Sequence, residues 1–179
     1  MFFTNTGKVH IRKTYQIPEA GRTAKGSNIV NILELEAGEK VTAIISVPGF
    51  SDKEYLFMVT RRGIVKKTLL SEFEYQRKGG KIALTLDDGD ELVYVKHTSG
   101  NDDIIIATHD GLSARFGEED VRPMGRGARG VKGMTLSDGD YIVGCAVISE
   151  DKALLTITEG GFGKRCEFDN FSAHNRGVK

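Results

Sequence analysis

Two sets of lysines and arginines recur at matching places along this 179-residue chain. The first set follows a Thr-x-x-Gly turn: Lys8, Arg12 and Lys13, then Lys66 and Lys67, then Arg115, then Lys164 and Arg165. The second occupies basic-Gly loops: Arg22 and Lys25, then Arg77, Lys78 and Lys81, then Arg126, Arg129 and Lys132, then Arg176 and Lys179. Glycines beside cations let the backbone come close to a ligand and leave N–H groups for phosphate oxygens. If successive units face the same way, these positions form a stripe along one curved rim. Such a stripe suits the backbone of duplex DNA, with little sequence preference and a steep dependence on salt. For any single residue, a solubilising charge on a strand edge is the plainer explanation. It does not account for the set, because discouraging edge pairing does not require basic charge at one phase and acidic charge at another.

The formal charge is balanced, 25 basic against 25 acidic, but its distribution is not. Basic residues dominate positions 1–30, 57–81, 111–133 and 161–179, and acidic residues dominate the stretches between them. This alternation points to repeated units with a basic and an acidic half.

Other chemistry finds no support. The chain has no His-Glu-x-x-His, no nucleophile elbow, no Walker loop and no cysteine metal cluster, so neither a catalytic seat nor a metal site is expected. The four histidines, His10, His97, His109 and His174, fall in different parts of the repeat and read as packing or solvated groups. The run Asp87-Asp88-Gly89-Asp90-Glu91 has the oxygen chemistry of a hard-cation site. It recurs in milder form at Ala37-Gly38-Glu39 and Asp138-Gly139-Asp140, which makes it a hairpin turn. Gly125, Gly127 and Gly130 spell a dinucleotide fingerprint, but that mechanism needs a strand before and a helix after. Pro123 precedes the triplet and a strand-like run follows, so a basic, flexible loop is expected. Cys145 and Cys166 read as small buried residues. The longest apolar run, Tyr141 to Ile148, is far shorter than a bilayer crossing, and the first residues lack the order of a secretory signal. A soluble, cytoplasmic protein with no membrane partner is the expectation.

The elements that must position the cations are short strands. The turn glycines Gly7, Gly63, Gly111 and Gly161 recur at intervals of about fifty residues, and Leu-x-x-Gly followed by an acid recurs at Leu35–Glu39, Leu86–Asp90 and Leu136–Asp140. Runs such as Tyr55–Thr60, Ile64–Leu70 and Leu92–Val95 are rich in β-branched and aromatic residues and are bounded by turn formers, while helix signals are nearly absent. The fold class is therefore all-β, with propeller-like blades whose neighbours cover each other's apolar faces. One domain over 1–179 is expected, with repeats at about 1–54, 55–102, 103–152 and a partial one at 153–179. Three blades and part of a fourth form an open arc, the expectation for a piece of a longer array.

These residues resemble a known family. Tyr15-Gln16-Ile17-Pro18-Glu19-Ala20, Arg22-x-x-Lys25-Gly26 and Ile29-Val30-Asn31-Ile32-Leu33 are similar to the second repeat of the C-terminal domain of bacterial DNA gyrase A. Gly63-Ile64-Val65-Lys66-Lys67-Thr68 with Asp88-Gly89-Asp90-Glu91-Leu92 resembles its third repeat, Val121-Arg122-x-Met124-Gly125 its fourth, and Gly161-Phe162-Gly163-Lys164-Arg165 the start of its fifth. The resemblance implies a β-pinwheel whose blades exchange strands and whose basic perimeter wraps DNA in support of ATP-driven negative supercoiling. It implies a non-catalytic piece, with the cleaving tyrosine, the ATPase site and its ATP and magnesium elsewhere in the holoenzyme, and no cofactor here. The implied partners are duplex DNA, the rest of gyrase A, and gyrase B. The family's heptapeptide box belongs to its first repeat; Gln76-Arg77-Lys78-Gly79-Gly80-Lys81-Ile82 approximates it, with Ile82 in place of the last glycine. The corresponding domain of topoisomerase IV is the near alternative. A propeller-like protein-interaction scaffold is the distant one, disfavoured by the absence of tryptophan and the phased basic loops.

Overall fold

The computed structural model describes residues 1–75, 79–149 and 151–178. Each Thr-x-x-Gly turn joins a β-hairpin: β1 (Phe2–Thr4) to β2 (Lys8–His10), with β3 (Val41–Ile44) following, then β4 (Tyr55–Thr60) to β5 (Ile64–Leu69). After β6 (Lys81–Ile82) and β7 (Leu92–Thr98) comes the hairpin of β8 (Asp103–Thr108) and β9 (Ser113–Gly117). After β10 (Val131–Lys132) and β11 (Ile142–Val147) comes that of β12 (Ala153–Ile157) and β13 (Gly163–Glu167). The glycine is required because the turn holds it at φ between 76° and 88° in all four copies, where a side chain is strained. Its N–H returns to the threonine carbonyl, at 3.1 Å for Gly63 to Thr60.

The strand after each acidic turn pairs antiparallel with the first strand of its own hairpin, as β7 does with β4 from Tyr55↔Thr98 to Thr60↔Leu92. The other edge is closed from outside the repeat: β6 pairs with β2, and β10 with β5. The sheets therefore run β3-β1-β2-β6, β10-β5-β4-β7, β11-β8-β9 and β12-β13. They form three successive blades and a two-stranded part of a fourth, all-β and open, as the sequence predicts, and the exchanged strands are those the resemblance implies.

Strand alternation sends neighbouring side chains to opposite faces. Leu56 and Met58 of β4 pack toward the first blade with Phe3, Val9 and Phe73, while Phe57 and Val59 pack toward the third with Ile104, Ile106 and Phe116. Phe3 meets Phe73 edge-on at 6.3 Å, and Phe57 meets Phe116 at 6.2 Å. The apolar cores thus lie between blades.

The recurring acids lock the hairpin turns. Thr4 Oγ1 donates to Glu39 Oε1 at 2.7 Å. Asp90 Oδ1 accepts from the N–H groups of Arg62 and Glu91, and Asp140 Oδ1 from those of Asp110 and Tyr141 at 3.1 and 2.8 Å. Burial alone would raise the Asp140 pKa, but hydrogen bonds from Thr108, Asp110 and Tyr141, with His109 nearby, outweigh it and leave the pKa lowered. Glu39 follows the same logic, with burial opposed by the Glu36 N–H, Thr4 and His10. Both carboxyls hold protons less tightly in the folded state than at their ordinary values of 3.8 and 4.5. Their stabilisation is therefore complete above those values and lost as the pH falls through the lower folded pKa. Denaturant unfolding of wild type and Asp140→Asn is expected to differ by about 1–2 kcal/mol at neutral pH. That difference should shrink as the pH falls below the carboxylate range; a pH-independent difference would remove the charge from the argument.

Candidate nucleic-acid interface

The segments that carry Lys81, Arg126 to Lys132 and Arg176 reach equivalent edges of the first, second and third blades. In the second blade, Pro123 of the next repeat makes a parallel bridge to Lys67, and the chain returns antiparallel at Val131↔Val65. The loop between these contacts carries Arg126 and Arg129 around the sheet edge. The third blade repeats the first contact at Arg115↔Ala173, just before Arg176. In the first blade, Val9 pairs with Lys81. Gly130, at φ 103°, allows a close approach, since a Cβ there would sit 2.5 Å from the Val65 carbonyl oxygen.

Along this edge Lys132 is exposed, and its side chain has no partner among the described residues. Arg129 is exposed and pairs with Asp87 at 2.9 Å. Arg126 is half-buried with one long bond, Nη1 to the Ile82 carbonyl at 3.4 Å. Arg176 spans two segments, donating through Nε to the Asp120 carbonyl at 2.9 Å and through Nη1 to that of Lys132 at 3.2 Å. Lys81 is buried, with its ammonium 5.8 Å from the centre of the Tyr75 ring. Lys13, Arg22 and Lys25 are exposed on the long loop of the first repeat. Arg77, Lys78 and Lys179 lie outside the described residues.

One family model, described as the DNA gyrase C-terminal domain, beta-propeller, matches residues 1–48, 54–99, 102–149 and 152–179. The chain belongs to this family. It is 49% identical over 179 residues to DNA gyrase A of Clostridium acetobutylicum and 43% identical over 182 residues to that of Lawsonia intracellularis, covering 100% of this chain in both cases. It spans only 22% of the length of those curated relatives. Among solved structures, the C-terminal domain of DNA topoisomerase IV superimposes with a TM-score of 0.90 at 32% identity, over 99% of this chain and 56% of that one. A DNA gyrase A C-terminal domain gives 0.84 at 28% identity, over 99% and 57%.

Within this gyrase C-terminal fold the first basic set divides, and part of the expected stripe needs correction. Lys66 is fully buried, and its Nζ donates to the carbonyls of Ala83, Arg126 and Ala128 at 2.8, 2.6 and 3.1 Å. Burial, together with the nearby Arg126 charge and against that of Glu72, lowers its pKa to about 8. Lys67 is also buried and donates to the Glu118 carbonyl at 2.9 Å, at the start of the next blade's 3-10 turn. Arg115, its counterpart one repeat on, donates to the Phe168 and Phe171 carbonyls around the equivalent turn and grips Asp103 through Nε and Nη2. These three cations are blade-to-blade ties, not free rim charges. The reason is acceptor supply: the 3-10 turns and loops present carbonyls that no strand satisfies, and a buried carbonyl needs a donor. Arg12 likewise serves the Ile11 and Ile32 carbonyls, and Lys8 pairs with Glu36. Lys164 and Arg165 are exposed, and their side chains have no partner among the described residues.

Arg61 and Arg62 at the second hairpin turn were not among the expected residues. Arg61 lies 3.8 Å from the centre of the Tyr141 ring, against which His109 also stacks, and Arg62 Nη1 donates to the Asp88 carbonyl. The other copies of this turn hold Asn5-Thr6, His109-Asp110 and Glu159-Gly160, so repetition could not have flagged the pair. Cys145 is half-buried, and burial pushes its thiol up to about 12, so it stays protonated at neutral pH.

The division has a measurable consequence. Lys66→Ala or Lys67→Ala strips donors from buried carbonyls and is expected to cost about 1–3 kcal/mol in denaturant unfolding, whereas Lys164→Ala and Arg165→Ala should stay within about 0.5 kcal/mol. Equal small effects at all four positions would return Lys66 and Lys67 to the surface.

Proposed function

We propose that this chain is a DNA-binding and DNA-wrapping module of a type IIA topoisomerase, acting within gyrase A and having no catalytic step of its own. The observation that carries this reading is the return of cation-bearing segments to the same outer edge of the first, second and third blades, at Lys81, at Arg126 to Lys132 and at Arg176. A duplex following that edge meets the exposed cations Arg129, Lys132 and Arg176 at the second and third blades, whereas Lys81 at the first is buried, and the duplex phosphates need not be read for sequence. Lys13, Arg22, Lys25, Lys164 and Arg165 extend the positive surface. Bending the duplex along an arc costs roughly 1–6 kcal/mol for 40–90° over a short site, so contacts from one blade alone are insufficient. Tyrosine-mediated cleavage and ATP hydrolysis with magnesium belong to other parts of the holoenzyme, in which the rest of gyrase A and gyrase B are the protein partners. The cytoplasm is the compartment consistent with a DNA substrate, and no helix among the described residues is long and apolar enough to cross a membrane.

A second reading, the equivalent domain of topoisomerase IV, is favoured by the closer superposition, 0.90 against 0.84. The identities of 49% and 43% to gyrase A proteins weigh the other way.

Fluorescence titration with a 40-base-pair duplex is expected to show saturable binding. With about five phosphates neutralised, log K should fall against log salt with a slope of about −4 to −5. Lys132→Ala with Arg129→Ala should weaken binding and flatten the slope by about two contacts. An absence of binding at low salt would sink the reading.

A further inference from the structure

The loop from Gly125 to Gly130 is built around the Lys66 ammonium. Lys66 Nζ draws in the carbonyls of Arg126 and Ala128, and Thr85 draws in those of Gly127 and Ala128, through Oγ1 at 2.9 Å and N–H at 3.2 Å. Three successive carbonyls therefore face the protein. In a trans peptide the N–H points opposite to the carbonyl of the same unit, so the N–H groups of Gly127, Ala128 and Arg129 face outward. Ala128 N–H folds back to the Gly125 carbonyl at 3.1 Å. Those of Gly127 and Arg129, both exposed residues, have no acceptor among the described residues.

The next repeat supplies an internal comparison. There Ala114 stands where Lys66 stands, and Gly177, the counterpart of Gly127, donates its N–H inward to the Gly133 carbonyl at 2.7 Å. Thr135 holds the Gly177 and Val178 carbonyls as Thr85 holds those of Gly127 and Ala128. The counterpart of Gly133 is Ala83, whose N–H makes the same bond to its turn glycine. In the second blade the Ala83 carbonyl is taken by Lys66 Nζ at 2.8 Å. Lys66 thus occupies the acceptor that Gly127 would otherwise use, and turns an internal amide into an outward donor.

We propose that the Gly127 and Arg129 amides form a backbone seat for one phosphodiester of duplex DNA, and that Lys66 is the positioning residue that holds it open. Paired outward amides in a glycine-rich loop make an anion-binding concavity, and Lys132 and Arg129 add positive charge beside it. The Arg129–Asp87 pair is exposed on both sides, so phosphate can compete for the guanidinium at little cost. This inference rests on the DNA-binding reading above and adds to it a specific contact.

The test is a nitrogen-15-resolved amide spectrum of the 179-residue chain titrated with a short duplex, and separately with inorganic phosphate. The Gly127 and Arg129 amide protons should move downfield and saturate together with duplex binding, while the Gly177 amide stays in place. Lys66→Met should abolish the Gly127 movement and weaken duplex affinity about 5- to 10-fold, the worth of one ordinary hydrogen bond. Duplex binding that saturates with both amides unmoved overturns the seat and leaves the DNA-binding reading intact. Movement with inorganic phosphate but not with duplex assigns the site to free anions and overturns the DNA contact. Gly127 movement that survives Lys66→Met removes Lys66 from its role. Failure of the duplex to bind at all overturns both readings.

Discussion

A three-stranded blade of fifty residues leaves one sheet edge unpaired and two apolar faces open, and nothing inside the repeat can close them. Unpaired edges invite aggregation and exposed cores do not hold. The chain meets this constraint by sending a two-residue strand back from the second and third repeats, β6 to β2 and β10 to β5, and by sharing each core between two blades. The exchanged strand is too short to bind firmly by its own ladder. Its approach is stabilised by the carbonyl ties of Lys66, Lys67 and Arg115, so the cations of the first set belong to the assembly of the arc as much as β6 and β10 do.

This division of labour explains how a chain of zero formal charge can present a basic edge. Three of the recurring acids, Glu39, Asp90 and Asp140, are buried and bound to turn groups, and Glu36 and Asp103 each hold a cation of the first set. The exposed charges are thereby sorted. Because the exchanged segments lie on the outer edges of the sheets, the basic-Gly loops that introduce them are carried there too. Closing the edge and carrying Arg126, Arg129 and Lys132 to it are one structural event.

Much of the fold was legible in the sequence. The four turn glycines declare four hairpins, since each sits at a backbone angle that only glycine adopts without strain, and the unbroken apolar run in Tyr55–Thr60 declares a strand with two covered faces. The acidic turn after Leu86 was readable as a turn because it recurs. The roles of the cations were less legible, because spacing reports phase along the chain and not which face an ammonium meets. Lys66 and Lys67 are the instructive case: adjacent residues in a strand point to opposite faces, so a strand packed on both sides cannot leave both on a rim. What that alternation could not supply was the acceptors. The carbonyls of Arg126, Ala128 and Glu118 lie some fifty to sixty residues away in the chain and come together only through strand exchange.

Buried ties also matter for what a rim can do to a stiff polymer. A duplex bent along an arc is held only if several contacts form in register, and every loop that must be ordered on binding subtracts from the net affinity. In the second blade the ordering is done in advance: Lys66 and Thr85 fix the peptide planes from Arg126 to Ala128 whether or not a ligand is present. In the third blade Ala114 leaves that work to Thr135 and to the inward amide of Gly177. Two loops with the same spacing in sequence thus turn their amides in opposite directions, and the difference traces to one fully buried side chain, Lys66. Repetition of a basic loop therefore does not guarantee repetition of its contact; the residue beneath the loop decides which of its dipoles face outward.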